Sequence, residues 1–329
     1  MNGLRIKSGD EVLDFKFDGS ENNLPGNVYR EEFDFFLTQE AAESGSKIID
    51  STRVIKIVIP EKEEKKCCVV TEKGREECEI ILGADGANSI VRRALGISYP
   101  RSRLAVAIEA EVPGDEEVFE FYDDKNFYDL GYVQRGYAWA FPKREGETIN
   151  VGLIVLAEEA KKMNKPLLTV WKEFLTSLEW AKNRSVHPHG TMLPYQGTVD
   201  RLGHEKTLLL GDAAGFVEPV GGEGIPYAID SSLNAAEAVK LYFEGRAPLL
   251  DAYNDLMKDT LDEINIYGMK MHNNFFVKNR IKTFLKMTRK NKDMFNVMRK
   301  MMSRSISYKQ ALESFSLPKF ILAYIKTMF

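Results

Sequence analysis

The sequence predicts an α/β (α+β) protein: a nucleotide-binding type of α/β domain interrupted by an antiparallel sheet and followed by helices. Three observations predict it. Strand, glycine turn and helix follow one another twice, at 78–96 and at 207–245. Alternating apolar segments run from about Leu104 to Val155, the pattern of an antiparallel sheet with one solvated face. After Ala247 the spacing is helical. The expected division is 1–98 with 198–248 for the interrupted domain, 99–197 for the sheet domain and 249–329 for the helical region.

Each element has its own reason. Residues 28–45, VYREEFDFFLTQEAAESG, place Phe33, Phe36, Leu37 and Ala41 at helical spacing, with Gly45 as the stop. STRVIKIVI (51–59) alternates β-branched apolar residues and reads as a strand. EKEEKK (61–66) is a charged loop or hairpin. CEIILGADGANSIVRRALG (78–96) reads strand, turn, helix. AVAIEAEV, VFEFY, YAWAFP and TINVGLIV are the alternating segments of the sheet. LLTVWKEFLTSLEW (167–180) is an amphipathic helix. TLLLGD (207–212) is a buried strand, and IPYAIDSSLNAAEAVKLYFEG (225–245) is a helix with small residues on one face.

The bulk numbers exclude several classes. A chain of 329 residues with 44% hydrophobic and 29% charged residues has room for two domains and the composition of an ordinary globular protein. Cys67, Cys68 and Cys78 show neither a disulfide framework nor CxxC spacing, so a reducing compartment and no metal are expected. The N-terminal stretch lacks the apolar core of a signal peptide, and no apolar run reaches the ~20 residues of a spanning helix. The expected location is cytoplasmic, with attachment at the inner membrane face as an added option. That option comes from one asymmetry. Residues 277–329 hold 13 Lys/Arg against Asp293 and Glu313, about +11, within a chain of net charge −4. The same segment carries Phe284, Met287, Met294, Phe295, Met298, Met301, Met302 and the tail FILAYIKTMF. It is either a helical end with a solvated basic face or a membrane-surface element whose Met and Phe meet acyl chains. Nothing points to nucleic acid.

The chemistry concentrates in LLLGDAAGFVEPVGGEGIPYAI (208–229). A strand delivers Gly211-Asp212 to its C-terminal edge, where ligands bind in open α/β sheets. Asp212 suits the hydroxyls of a polyol. Gly221, Gly222 and Gly224 lead into a helix with Pro226 in its first turn, where the missing N–H does no harm. Free amides and the positive end of the helix then face the ligand without any lysine. No phosphate-loop lysine follows. A planar ring with a delocalised partial anion, such as a reduced flavin, fits better. The other outcome for such spacing is a small-residue packing interface. Upstream, Asp85-Gly86 ends a strand and turns into a helix bearing Arg92 and Arg93; alone, this could be a plain connection.

These motifs resemble a family. GADGANSIVRRALGI is similar to the second flavin motif of the FAD-dependent group that includes p-hydroxybenzoate hydroxylase. LLLGDAAGFVEPVGGEGIPYAI resembles its GD motif in the form typical of geranylgeranyl reductases. GYAWAFPKREGETINVGL (136–153) is similar to that family's Y-x-W-x-F-P-K motif, although Gly152-Leu153-Ile154 keeps only the first glycine of the expected G-x-G. The resemblance covers most of 25–245. It implies FAD as cofactor, held by Arg30, by the backbone of Val54 on the adenine side, by Asp212, by the amides of Gly224 and Ile225 at the ring, and more remotely by Asp85. It implies a prenyl lipid substrate lined by Tyr137 and Trp139, whose alternative role is ordinary sheet packing. It implies hydride transfer to a C=C bond of a geranylgeranyl chain, with NAD(P)H, ferredoxin or another donor reducing the flavin. No catalytic acid is identified. A flavin monooxygenase or halogenase on the same scaffold is the alternative activity.

One part of the family pattern is missing. G-x-G-x-x-G between an opening strand and helix is absent; Gly222-Glu223-Gly224 is the only G-x-G, and Tyr227 stands at the third glycine's place. The FAD-binding domain is therefore expected to be incomplete, as in a truncated member or one half of a split enzyme whose partner chain supplies the first βαβ unit. A non-catalytic remnant is the remaining alternative.

Overall fold

The computed structural model describes residues 2–17, 26–60, 66–276 and 280–316. In chain order the elements begin with β1 (Gly3–Ser8), β2 (Glu11–Lys16), α1 (Arg30–Glu43), β3 (Val54–Val58), β4 (Cys67–Thr71), β5 (Gly74–Cys78), β6 (Ile81–Gly83) and α2 (Ile90–Ala94). There follow β7 (Leu104–Pro113), α3 (Glu116–Tyr122), β8 (Lys125–Asp129), β9 (Gly136–Lys143), β10 (Thr148–Leu156), α4 (Ala157–Lys162), α5 (Leu167–Ser177) and β11 (His189–Pro194). The last are β12 (Gly203–His204), β13 (Thr207–Leu209), α6 (Ile225–Phe243), α7 (Leu249–Asp262), α8 (Met269–Phe275), α9 (Arg280–Lys290), α10 (Lys292–Met302) and α11 (Tyr308–Phe315). They divide into two compact units: Met1–Asn27, Leu104–Met192 and Tyr267–Phe329 in one, Val28–Arg103 and Leu193–Ile266 in the other.

The first unit is built on a seven-stranded sheet of order β11-β7-β10-β9-β8-β1-β2. β7, β10 and β9 run antiparallel, as the alternation requires, but β1 joins β8 in parallel, with Ile6 opposite Tyr128. One face buries Ala138, Ala140, Ile149, Val151 and Leu153 against Phe119, Tyr122, Trp171 and Phe174 from α3 and α5. The other face carries Tyr137, Trp139 and Phe141, because side chains alternate along β9.

Two expectations are corrected in this unit. VFEFY is a helix, α3, and not a strand. Asp115 caps it by accepting from the Val118 N–H at 3.1 Å, and Val118, Phe119 and Tyr122 are buried together at helical spacing. Met287, Met294, Met298 and Met301 are buried within the protein, so these side chains do not face acyl chains. α9 packs on β2 and β1, Phe295 of α10 stacks on Phe15 of β2 at 4.8 Å, and Arg289 pairs with Glu11 at 3.0 Å. The tail 320–329 lies outside the described residues. Among the described residues no helix is long and apolar enough to cross a membrane.

The second unit holds a parallel pair, β13 with β6, extended by β12, and a separate meander β3-β4-β5. Leu208, Leu209, Ala213, Phe216, Ala235, Ala238, Tyr253 and Met257 form its core. The small residues of α6 let α7 approach, and the Tyr253 hydroxyl reaches back to the Leu209 carbonyl at 3.1 Å. Two features stand apart. β6 is an edge strand, and its central Leu82 is 45% exposed. α1 has no buried residue, and Phe35, Phe36 and Leu37 all face solvent.

Candidate functional site

The GD segment folds as the strand–turn–helix that its composition requires. β13 ends at Leu209, and Gly211–Ala213 make a 3₁₀ turn that carries Asp212. The Gly211 N–H donates to Ser231 Oγ at 3.0 Å, which ties the turn to α6. The glycine loop is closed by its own acid. The buried carboxylate of Glu218 accepts from the Val220 N–H at 2.9 Å and from the Gly221 N–H. α6 then starts at Ile225, with Gly224 as its N-cap residue and no capping side chain. The Gly224 and Ile225 N–H groups donate to no acceptor among the described residues.

Asp212 stands beside this helix start. A Cβ on Gly224 would lie 3.3 Å from Asp212 Oδ1 and 3.3 Å from Val217 Cγ2, tighter than ordinary contact, so a side chain here would press on the carboxylate. The carboxylate accepts no hydrogen bond from the described chain. Burial pushes its pKa above the usual aspartate value, and the positive charge of Arg30 opposes that rise. Arg30 itself is exposed at the start of α1 and forms a fork with Asp34 at 2.8 and 3.1 Å.

The structure thus brings Asp212, Gly224 and Ile225 to one place, and the charge of Arg30 acts on the Asp212 carboxylate from nearby. Asp85 supports a helix start. Its Oδ2 accepts from the Ile90 and Val91 N–H groups at 2.6 and 3.2 Å and so caps α2. Val54 lies on β3 opposite Thr71 and lines a crevice of about 700 Å³ with Arg53, Lys56, Glu72, Ile90 and Arg93. Tyr137 and Trp139 lie in the other unit, almost fully covered, at 5% and 7% exposure.

Sequence reasoning missed two supports. Arg92 is buried and donates from one Nη to the Ala213 carbonyl at 2.9 Å and from the other to the Ala87 carbonyl at 2.5 Å, joining the Asp85 loop to the Asp212 turn. Its Nε finds no partner among the described residues, and burial lowers its pKa. Glu218 was the other. Its signal was available: an acid three residues before a glycine pair can fold the loop onto itself.

FAD fits this arrangement. A recessed carboxylate without a hydrogen bond can accept from ribityl hydroxyls, and unpaired amides at a helix start can meet the electron-rich edge of the ring. A model of the FAD binding domain family matches residues 13–261. Digeranylgeranylglycerophospholipid reductase 2 of Methanococcoides burtonii is 30% identical, over 87% of this chain and 67% of its own. A geranylgeranyl bacteriochlorophyll reductase-like protein from Thermoplasma acidophilum superposes with a TM-score of 0.76 at 18% identity, covering 99% of this chain and 82% of that one. A flavin-dependent brominase has the same fold, with a TM-score of 0.70 at 15% identity, over 92% of this chain and 76% of its own. This chain spans little more than half the length of several curated relatives that it matches, 54% to 59%.

Proposed function

The chain belongs to the FAD binding domain family, in its geranylgeranyl reductase group, and from that premise we propose that it reduces C=C bonds in the geranylgeranyl chains of a prenyl lipid. The observation that carries the cofactor half is the recessed Asp212 carboxylate, which accepts no hydrogen bond among the described residues, beside the amides of Gly224 and Ile225, which find no acceptor there either. Asp212 holds the ribityl hydroxyls, and Arg30 balances its charge. The amides at the start of α6 hold the pyrimidine edge of the ring, and the helix dipole favours negative charge there. Val54 borders the adenine side, and Asp85 keeps α2 in place through its cap. Bound and reduced, FAD would supply a hydride to one carbon of the double bond, with the proton for the other carbon drawn from solvent. Tyr137 and Trp139 line the isoprenoid chain, since large aromatic faces suit a long apolar ligand.

A pyrophosphate also needs a glycine-rich turn. The edge of β6, with Leu82 exposed, and the uncovered Phe35, Phe36 and Leu37 of α1 suit a strand–helix unit from a partner chain. The basic C-terminal helices suit contact with anionic lipid heads.

Anaerobic incubation of the chain with FAD, dithionite and a geranylgeranyl lipid tests this reading. The expected product gains two hydrogens per reduced double bond by mass spectrometry. Co-expression with a strand–turn–helix unit that carries G-x-G-x-x-G is expected to raise the yield. No mass gain in either preparation would overturn the reductase reading.

A further inference from the structure

One face of the large sheet carries a chain of polar contacts centred on Trp139. Trp139 Nε1 donates to Asn150 Oδ1 at 2.6 Å, and Asn150 Nδ2 donates to Glu111 Oε1 at 3.0 Å. Lys143 Nζ donates to the same oxygen at 2.6 Å, and Thr148 Oγ1 donates to Glu111 Oε2 at 2.8 Å. Register makes this possible. β10 lies between β7 and β9, so Asn150 stands opposite Glu111, and Gly152 stands opposite Trp139. A Cβ at residue 152 would overlap the indole, only 2.7 Å from Cη2. The ring therefore has two constraints, a hydrogen bond at its pyrrole edge and a side-chain-free niche against its benzo edge. Tyr128, Tyr137 and Phe141 flank it, with successive ring centroids 4.9 to 5.8 Å apart.

A buried indole N–H without a partner is costly, so this network selects one orientation of the ring. An apolar neighbour would be enough to bury a tryptophan. Here a carboxylate, an ammonium, an amide and a hydroxyl are all arranged to fix a single ring. We propose that Asn150 and Glu111 are positioning residues that act through Trp139: they lock its indole against Gly152 and so hold the tilted aromatic row in the one arrangement along which an extended isoprenoid lies. This rests on Tyr137 and Trp139 lining the isoprenoid. It adds that length preference is set by residues that never touch the chain.

The test uses the full chain with FAD added, geranylgeraniol and the shorter geraniol as probes, and ¹⁵N-labelled indoles read by NMR. Asn150→Leu is expected to weaken geranylgeraniol binding about tenfold, and geraniol binding much less, while the Trp139 indole resonance shifts and broadens. Gly152→Ala is expected to do the same by pushing the ring from the other side. Glu111→Gln with Asn150→Asp exchanges donor and acceptor and is expected to recover affinity that each single change loses. If Asn150→Leu fails to fold, Gly152→Ala and the exchanged pair carry the test. Unchanged geranylgeraniol affinity in Gly152→Ala and in the single changes, alongside a displaced indole resonance, would overturn the positioning role alone. Unchanged affinity in Trp139→Leu, or no binding by the unsubstituted chain, would overturn the isoprenoid site itself.

Discussion

Asp212 and Glu111 are both carboxylates beside glycine-containing strands or turns, and the chain treats them in opposite ways. Glu111 accepts from Asn150, Lys143 and Thr148 and leaves neither oxygen unused. Asp212 is recessed, accepts no hydrogen bond from the described chain, and has only the nearby charge of Arg30 to offset its burial. A polar group that is buried and unsatisfied costs stability unless a ligand satisfies it. The first carboxylate is therefore bound into the scaffold of its unit, and on the proposed reading the second is left for the cofactor.

The contrast has opposite consequences for stability. Glu111→Ala removes an acceptor from three donors and is expected to cost about 2 kcal/mol, read as a lower urea midpoint. Asp212→Asn removes a charge that burial disfavours and is expected to raise the midpoint. Equal losses in the two variants would erase the distinction. Gly224→Val places a branched side chain against Asp212 Oδ1 and Val217, and a roughly tenfold loss of FAD affinity is expected in a fluorescence titration.

The pH dependence follows from the sign of the Asp212 shift. Its folded pKa is raised above the ordinary value of 3.8, so the folded state holds the proton more tightly. That stabilisation is complete below the ordinary aspartate range and is lost as pH rises through the raised value. Asp212→Asn should therefore gain on the unsubstituted chain as pH rises through that window, measured by urea midpoints at successive pH values. The smallest effect belongs to α1, which buries nothing. Phe36→Ser is expected to change unfolding by less than about 0.5 kcal/mol, because an exposed ring has little packing to lose.

Much of this was legible in the sequence. Both strand–turn–helix units fall where glycine turns follow apolar runs, and Asp212, Gly224 and Ile225 do meet at one helix start. What was hidden is non-local. The pairing of β1 with β8 brings residues 3–7 against residues 125–129, and no local pattern records it. VFEFY alternates like a strand, but Asp115 caps it and the spacing of Val118 and Tyr122 suits a helix equally well. The Glu111 network gathers residues from β7, β9 and β10, and only register shows that Asn150 lies between Glu111 and Trp139. Asp85 could serve a ligand or a helix end in sequence, and only the structure shows that its Oδ2 meets the start of α2.

The most direct measurement is an equilibrium titration of FAD into the unsubstituted chain and into Asp212→Ala, followed by the flavin band near ~450 nm. Saturable binding that weakens about a hundredfold in the variant, the size of two lost charge-assisted hydrogen bonds, is the expected result, with an unfolding midpoint no lower than that of the unsubstituted chain. Equal affinity in both proteins would show that the unsatisfied carboxylate is not kept for the cofactor.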